Sequence, residues 1–157
     1  MNKILEEDIQ HIIKNSNLEK FNNKNIFVTG ATGFLGSLFI KTILQYNIQK
    51  KANIQILALI RNPQKAKTIF AEFNSENLIF IHGTVEKLPH IPHDIDYIVH
   101  GASITSSFDF VSKPVDTISI ALVGTKNMLE LARKKQVISF LYLSSMEIYG
   151  ITKLSKG

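Results

Sequence analysis

Residues 25–37 read NIFVTGATGFLGS, and the turn inside this stretch decides the fold. Asn25–Thr29 is a short β-branched and aromatic run that stops at Gly30, the pattern of a buried strand. Beyond Gly33 the periodicity changes. Leu35, Leu38, Phe39, Ile43 and Tyr46 recur at helical spacing. Between strand and helix, Gly30, Gly33 and Gly36 stand as G-x-x-G-x-x-G. Such a turn lets main-chain N–H groups approach a phosphate at a helix N-terminus, where the helix dipole also favours negative charge. Gly30 makes the sharp bend, Gly33 removes a side chain where a pyrophosphate would pass, and Gly36 lets the helix pack close to the strand. The dinucleotide fingerprint is G-x-G-x-x-G; this loop is one residue longer between its first two glycines. A tight strand–helix turn without a ligand would use the same glycines, but the flanking strand and helix favour the ligand. No Gly-Lys-Ser/Thr follows, which excludes a P-loop.

Outward from this turn the chain alternates. Upstream, residues 3–22 predict one or two helices with Leu5, Ile9, Ile12 and Ile13 on one face. This gives an N-terminal helical extension, 1–24, ahead of a dinucleotide-binding domain, 25–157. Downstream, NIQILALI (53–60) is a second strand, and NPQKAKTIFAEF (62–73) a helix with Pro63 in its first turn. NLIFIHG (77–83) is a third strand, EKLPHIPHD (86–94) a proline-bearing loop, and IDYIVHG (95–101) a fourth strand. Ser112 and Pro114 open a long helix with Ile118, Ala121, Leu122, Thr125, Met128, Leu129 and Ala132 on one face; VISFLYLSS (137–145) is a fifth strand. Strands apolar on both faces, alternating with helices, predict an α/β doubly wound parallel sheet of about five strands.

The bulk numbers agree. A chain of 157 residues, 45% apolar and 20% charged, can bury one sizeable core. Without cysteine it has no disulfide and no thiolate zinc site. No apolar run approaches the roughly 20 residues of a membrane span, and Glu6, Glu7 and Asp8 interrupt any signal-peptide core. A cytoplasmic protein with no membrane partner is expected. The formal charge of +5 is mostly scattered. Its densest group, Arg133–Lys135, ends a helix where cations suit the dipole. Without interleaved aromatics, nucleic acid is not expected as a partner.

Four segments, TGATGFLGS (29–37), HGAS (100–103), KPVDTISIALVGTKNMLELA (113–132) and LYLSSMEIYG (141–150), together resemble the extended short-chain dehydrogenase/reductase family, in its NAD(P)-dependent nucleotide-sugar epimerase/dehydratase branch. The resemblance implies a Rossmann-like fold. It implies that Gly30, Gly33 and Gly36, with the amides of Phe34 and Leu35, hold the pyrophosphate. Gly101, Ala102 and Ser103 would flank the cofactor's central ribose and phosphates. Thr84 and Val85 would lie beside the adenine, although many members have aspartate where Thr84 stands. Ser145 matches the catalytic Ser/Thr, whose hydroxyl bonds the substrate oxygen as hydride moves, and Ser144 would help to shape that site. Where members often carry asparagine before the Gly-Thr pair, this chain has Ala121.

Cofactor choice turns on the end of the second strand. An NAD site usually places a carboxylate there to bond both ribose hydroxyls. This chain has Arg61 and Asn62. A guanidinium suits a 2′-phosphate, so NADP is preferred to NAD, with a solvated surface arginine as the alternative. Tyr149 and Lys153 have Tyr-x-x-x-Lys spacing, but the family's pair sits on a separate helix well beyond the serine. The Tyr149 spacing is read as accidental, and the chain as the N-terminal portion of the fold, its C-terminal part absent. The expected function is the NAD(P)-binding domain of an oxidoreductase or epimerase acting on a nucleotide-linked sugar, inactive as this truncated chain. A homodimer is possible. The alternative is a non-catalytic dinucleotide-binding regulatory module. Met146 replaces the first acid of the dehydratase pair before Glu147, which favours epimerisation or reduction. His82, His90, His93 and His100 lack tight ligand spacing; surface or capping roles are expected, and no metal. Ser106, Ser107 and Asp109 face either substrate or solvent. Phe70, Phe73, Phe80 and Phe140 are expected in the core.

Overall fold

The computed structural model describes residues 3–73 and 75–145. Helix α1 (Lys3–Asn15) and a single 3-10 turn (Glu19–Phe21) lead into β1 (Asn25–Thr29), α2 (Phe34–Lys50), β2 (Gln55–Ile60), α3 (Pro63–Ile69), β3 (Leu78–His82) and β4 (Tyr97–His100). A short α4 (Ser107–Ser112), absent from the sequence expectation, precedes α5 (Pro114–Ser119), a π turn (Ile120–Gly124), α6 (Thr125–Lys135) and β5 (Ser139–Tyr142). The five strands form one sheet in the order β3-β2-β1-β4-β5, and every pairing is parallel.

Side chains alternate across a strand, so each central strand feeds two cores. Ile26, Val28, Ile56, Ala58 and Ile60 face a cluster closed by Ile40, Ile43 and Leu44 of α2 and by Ala66 of α3. The N-terminal extension joins this cluster through Leu18, Ile13 and Phe21, and Ile9 is fully buried. Phe27, Leu57, Leu59 and Ile98 face the other cluster, with Val85, Ile91, Ile95 and Met128. Phe70 is buried, and Phe73, Phe80 and Phe140 pack partly buried against the cores, as expected.

Three expectations change. Helix α3 stops at Ile69 instead of running to residue 73. Leu35, expected on the apolar face of α2, is 57% exposed, and Phe34 84%. Along α5–α6 the face that meets the core is Ile120, Gly124, Met128, Leu131 and Ala132, of which Met128 and Ala132 were expected; Ile118, Leu122 and Leu129 are exposed. The helix carries more than one apolar stripe, and the π turn inserts an extra residue that rotates one stripe against the next.

The N-terminal edge of the sheet is pinned by polar groups. Asp96 accepts from the Asn25 amide at 2.8 Å and from Lys24 Nζ at 3.1 Å. Beside it, Asn77 Nδ2 donates to Asn53 at 3.2 Å, and Asn53 Nδ2 to Asn23 at 3.3 Å.

Candidate dinucleotide site

In a parallel sheet all strands finish at one edge, and ligands collect in the crevice there. The predicted site residues follow those strand ends in turn: Gly30, Gly33 and Gly36 after β1, Arg61 after β2, Thr84 and Val85 after β3, Gly101–Ser103 after β4, Ser144 and Ser145 after β5.

The three glycines do different work. Gly30 has φ +70°, and a Cβ on it would lie 2.4 Å from the Gly101 carbonyl oxygen. The β1 and β4 turns therefore touch through bare backbone. A Cβ on Gly36 would lie 2.3 Å from the Gly30 carbonyl oxygen, so this glycine lets α2 close on the turn. A Cβ on Gly33 would meet only the Gly30 carbonyl oxygen, at 3.1 Å, and otherwise open space. Gly33 is the N-cap of α2 and supplies no side-chain cap, so the first-turn N–H groups of α2 have no side chain in front of them. A small open cradle before uncapped amides fits a pyrophosphate.

Gly101 and Ala102 are already engaged. The Gly101 amide donates to the Thr29 carbonyl at 3.2 Å, and the Ala102 amide to Thr29 Oγ1 at 3.1 Å. Both N–H groups hold the β4 turn against β1 and are spent within the fold. Ser103 is exposed, its hydroxyl bonded to the Ile104 carbonyl at 3.2 Å.

Arg61 is exposed. Its neighbour Asn62 is committed as the N-cap of α3, accepting from the Lys65 amide at 2.9 Å. Thr84 Oγ1 accepts from the Lys87 amide at 3.1 Å. The Val85 side chain is buried in the second core, so only its backbone is available to a ligand. Ser144 and Ser145 are exposed beyond β5. Tyr149, Lys153, Met146 and Glu147 lie outside the described residues. Ser106 caps α4 by accepting from the Asp109 amide at 3.3 Å, and Asp109 pairs with Lys113 at 3.6 Å.

Some supporting residues are not evident from spacing. Asn127 Nδ2 donates to the Val85 and Glu86 carbonyls at 2.9 and 3.0 Å, and Ser119 Oγ donates to Glu86 Oε1 at 2.6 Å. Gly124 admits Val85, whose Cγ2 would lie 2.5 Å from an added Cβ. Together they fasten the turn after β3 to the long helix. A polar residue on a helix otherwise reads as solvent-facing; the only sequence signal was the Gly124-Thr125 pair nearby.

His100 corrects the surface expectation. It is 1% exposed, with Nδ1 2.7 Å from Thr29 Oγ1 and Nε2 3.3 Å from Thr125 Oγ1. Burial lowers its pKa below the ordinary 6.5. His82 and His90 are exposed. Among the described residues no group of three or more His, Asp or Glu could hold a metal ion, and no helix is long and apolar enough to cross a membrane.

Comparison with known proteins gives this geometry a family. The model of the NAD dependent epimerase/dehydratase family matches residues 26–155. A UDP-N-acetylglucosamine 4,6-dehydratase (inverting) of Campylobacter jejuni is 28% identical over 144 residues, covering 86% of this chain and 42% of that protein. A UDP-glucose 4-epimerase of Rickettsia prowazekii is 26% identical over 128 residues, covering 80% of this chain and 37% of the relative. The solved dTDP-glucose 4,6-dehydratase DesIV of Streptomyces venezuelae, with NAD and TYD bound, superposes with a TM-score of 0.65 at 22% identity, covering 82% of this chain and 42% of DesIV. The chain thus spans about two fifths of the length of these relatives.

Proposed function

The chain belongs to the NAD dependent epimerase/dehydratase family, and from that premise we propose that it forms the dinucleotide-binding part of an enzyme acting on a nucleotide-linked sugar. The observation that carries this reading is the open cradle at Gly33, set before the uncapped start of α2 at the C-terminal edge of the sheet. The Phe34 and Leu35 amides would receive the pyrophosphate, and their exposed side chains leave that approach clear of the core. The backbone of Thr84 and Val85 would border the adenine. Ser103 would face the central ribose. When bound, the nicotinamide supplies hydride acceptance and return. Ser145 would bond the sugar oxygen at the reacting carbon, and Ser144 would shape the adjoining wall. Epimerisation or simple reduction suits the chain better than dehydration, since Met146 stands where a dehydratase carries its first acid.

NADP is the preferred cofactor in this reading. Arg61 is exposed at the end of β2, where the ribose would lie, Asn62 is occupied in capping α3, and neither residue is a carboxylate. The reading includes a homodimer through the exposed apolar stripe of the long helix.

Titration with NADP and NAD, following thermal midpoint, tests the cofactor reading. NADP is expected to stabilise more than NAD, and Arg61→Ala to weaken NADP about tenfold while leaving NAD unchanged. Stabilisation by neither dinucleotide defeats the whole proposal; preference for NAD defeats only the role of Arg61. Turnover with UDP- and dTDP-linked sugars, on this chain and on any longer form of it, tests the chemistry.

A further inference from the structure

The two turns that would grip the dinucleotide are tied together by one buried hydroxyl. Thr29 Oγ1 accepts the Ala102 amide at 3.1 Å and lies 2.7 Å from His100 Nδ1. Thr29 immediately precedes Gly30, and His100 immediately precedes Gly101. The Gly30 Cα and the Gly101 carbonyl are packed without room for a methyl group. The imidazole therefore sits directly beneath both turns. Its other nitrogen reaches Thr125 at the start of α6, and Phe140 and Tyr142 flank the ring at centroid distances of 6.1 and 5.5 Å.

We propose that His100 is a positioning residue for the dinucleotide cradle, acting through the Thr29 hydroxyl to hold the Gly101–Ala102 turn in register with the glycine turn. The inference rests on the dinucleotide reading above. Thr29 accepts from Ala102, so its own proton is available to Nδ1, and Nε2–H then donates to Thr125. In that tautomer every polar atom of the buried chain has a partner. Loss of the imidazole leaves the Thr29 hydroxyl free to rotate, and the Ala102 amide loses its fixed acceptor. The two turns can then slide against each other, and a misplaced cradle loses affinity although the sheet below is intact.

Five single variants separate positioning from stability: Thr29→Val, Thr29→Ser, His100→Asn, His100→Gln and Thr125→Val. Asparagine keeps a polar group near the Nδ1 position, glutamine near the Nε2 position. Dissociation constants for NADP and NAD and thermal midpoints are measured for each. Thr29→Val and His100→Gln are expected to weaken binding about tenfold. Thr29→Ser and His100→Asn should stay within about threefold of the parent chain. Thr125→Val should lower the midpoint with binding within about threefold. Binding losses that simply follow midpoint losses across the series, Thr125→Val included, would overturn the inference and leave His100 a stability residue. Should Thr29→Val fail to fold, equal binding by His100→Asn and His100→Gln would overturn it equally well. A parent chain that binds neither dinucleotide refutes the dinucleotide reading itself, an outcome distinct from any ordering among the variants.

Discussion

Gly33 and Gly36 lie three positions apart and differ in what a methyl group would meet. At Gly33 the backbone is extended, φ −80° and ψ 174°, and a Cβ would stand 3.1 Å from the Gly30 carbonyl oxygen, a tight contact, and otherwise meet open space. Gly33→Ala should lower the thermal midpoint less than Gly36→Ala does, and should bind the dinucleotide at least about tenfold more weakly, because the methyl fills the cradle. At Gly36 the Cβ would collide with the Gly30 carbonyl. Gly36→Ala should lose about 1–3 kcal/mol of stability, visible in denaturant melts with or without ligand. The glycine spacing and the separate roles expected of Gly30 and Gly36 were legible in the sequence; which backbone each one meets, Gly101 for Gly30 and Gly30 for Gly36, was not. His100 was misjudged for a related reason. A histidine at a strand end reads as surface until two threonines distant in sequence converge on it. Its folded pKa lies below 6.5, so the unfolded chain binds the proton more readily. Its contribution to stability is present above that value and is lost as pH falls from 6.5 toward the lower folded pKa. Chemical melts from pH 7.5 to 5 should show this acid-side loss, and it should flatten in His100→Asn.

Among the elements, the five strands were read correctly in kind and order because period and flanking turns agree in each, whereas the short α4 was not foreseen. The long helix was read as a helix but not with the right face. The face read from the sequence combined Met128 and Ala132, which meet the core, with Ile118, Leu122 and Leu129, which are exposed, and sequence period alone does not separate them. The π turn at Ile120–Gly124 adds the offset that decides it, by placing Gly124 over Val85. Asn127 then secures the turn after β3 with two hydrogen bonds. Asn127→Leu removes both donors and leaves two carbonyls without a partner, and should cost about 2 kcal/mol. Hydrogen exchange should quicken in residues 84–87 before it changes in β1 or β2.

At the scale of the whole molecule the doubly wound sheet was legible from alternation, since strands apolar on both faces require helices on both sides. Coverage was not legible, being a property of what packs on what. Ile118, Leu122 and Leu129 along the long helix are all more than half exposed, apolar side chains left uncovered as at an interface. Leu122→Lys should shift the chain toward monomer in sedimentation velocity without altering dinucleotide affinity. An unchanged sedimentation coefficient at all concentrations, in parent and variant alike, would remove the homodimer from the reading.

The Asp96 clamp and the Asn23–Asn53–Asn77 ladder occupy the rim farthest from the glycine turn. Endurance and the proposed recognition are thus housed at opposite poles of the same sheet. A cysteine introduced at Asn77 and labelled with a fluorophore should report unfolding without perturbing nucleotide titrations. Engineering the chain into a sensor or an immobilised reagent can begin from that pole.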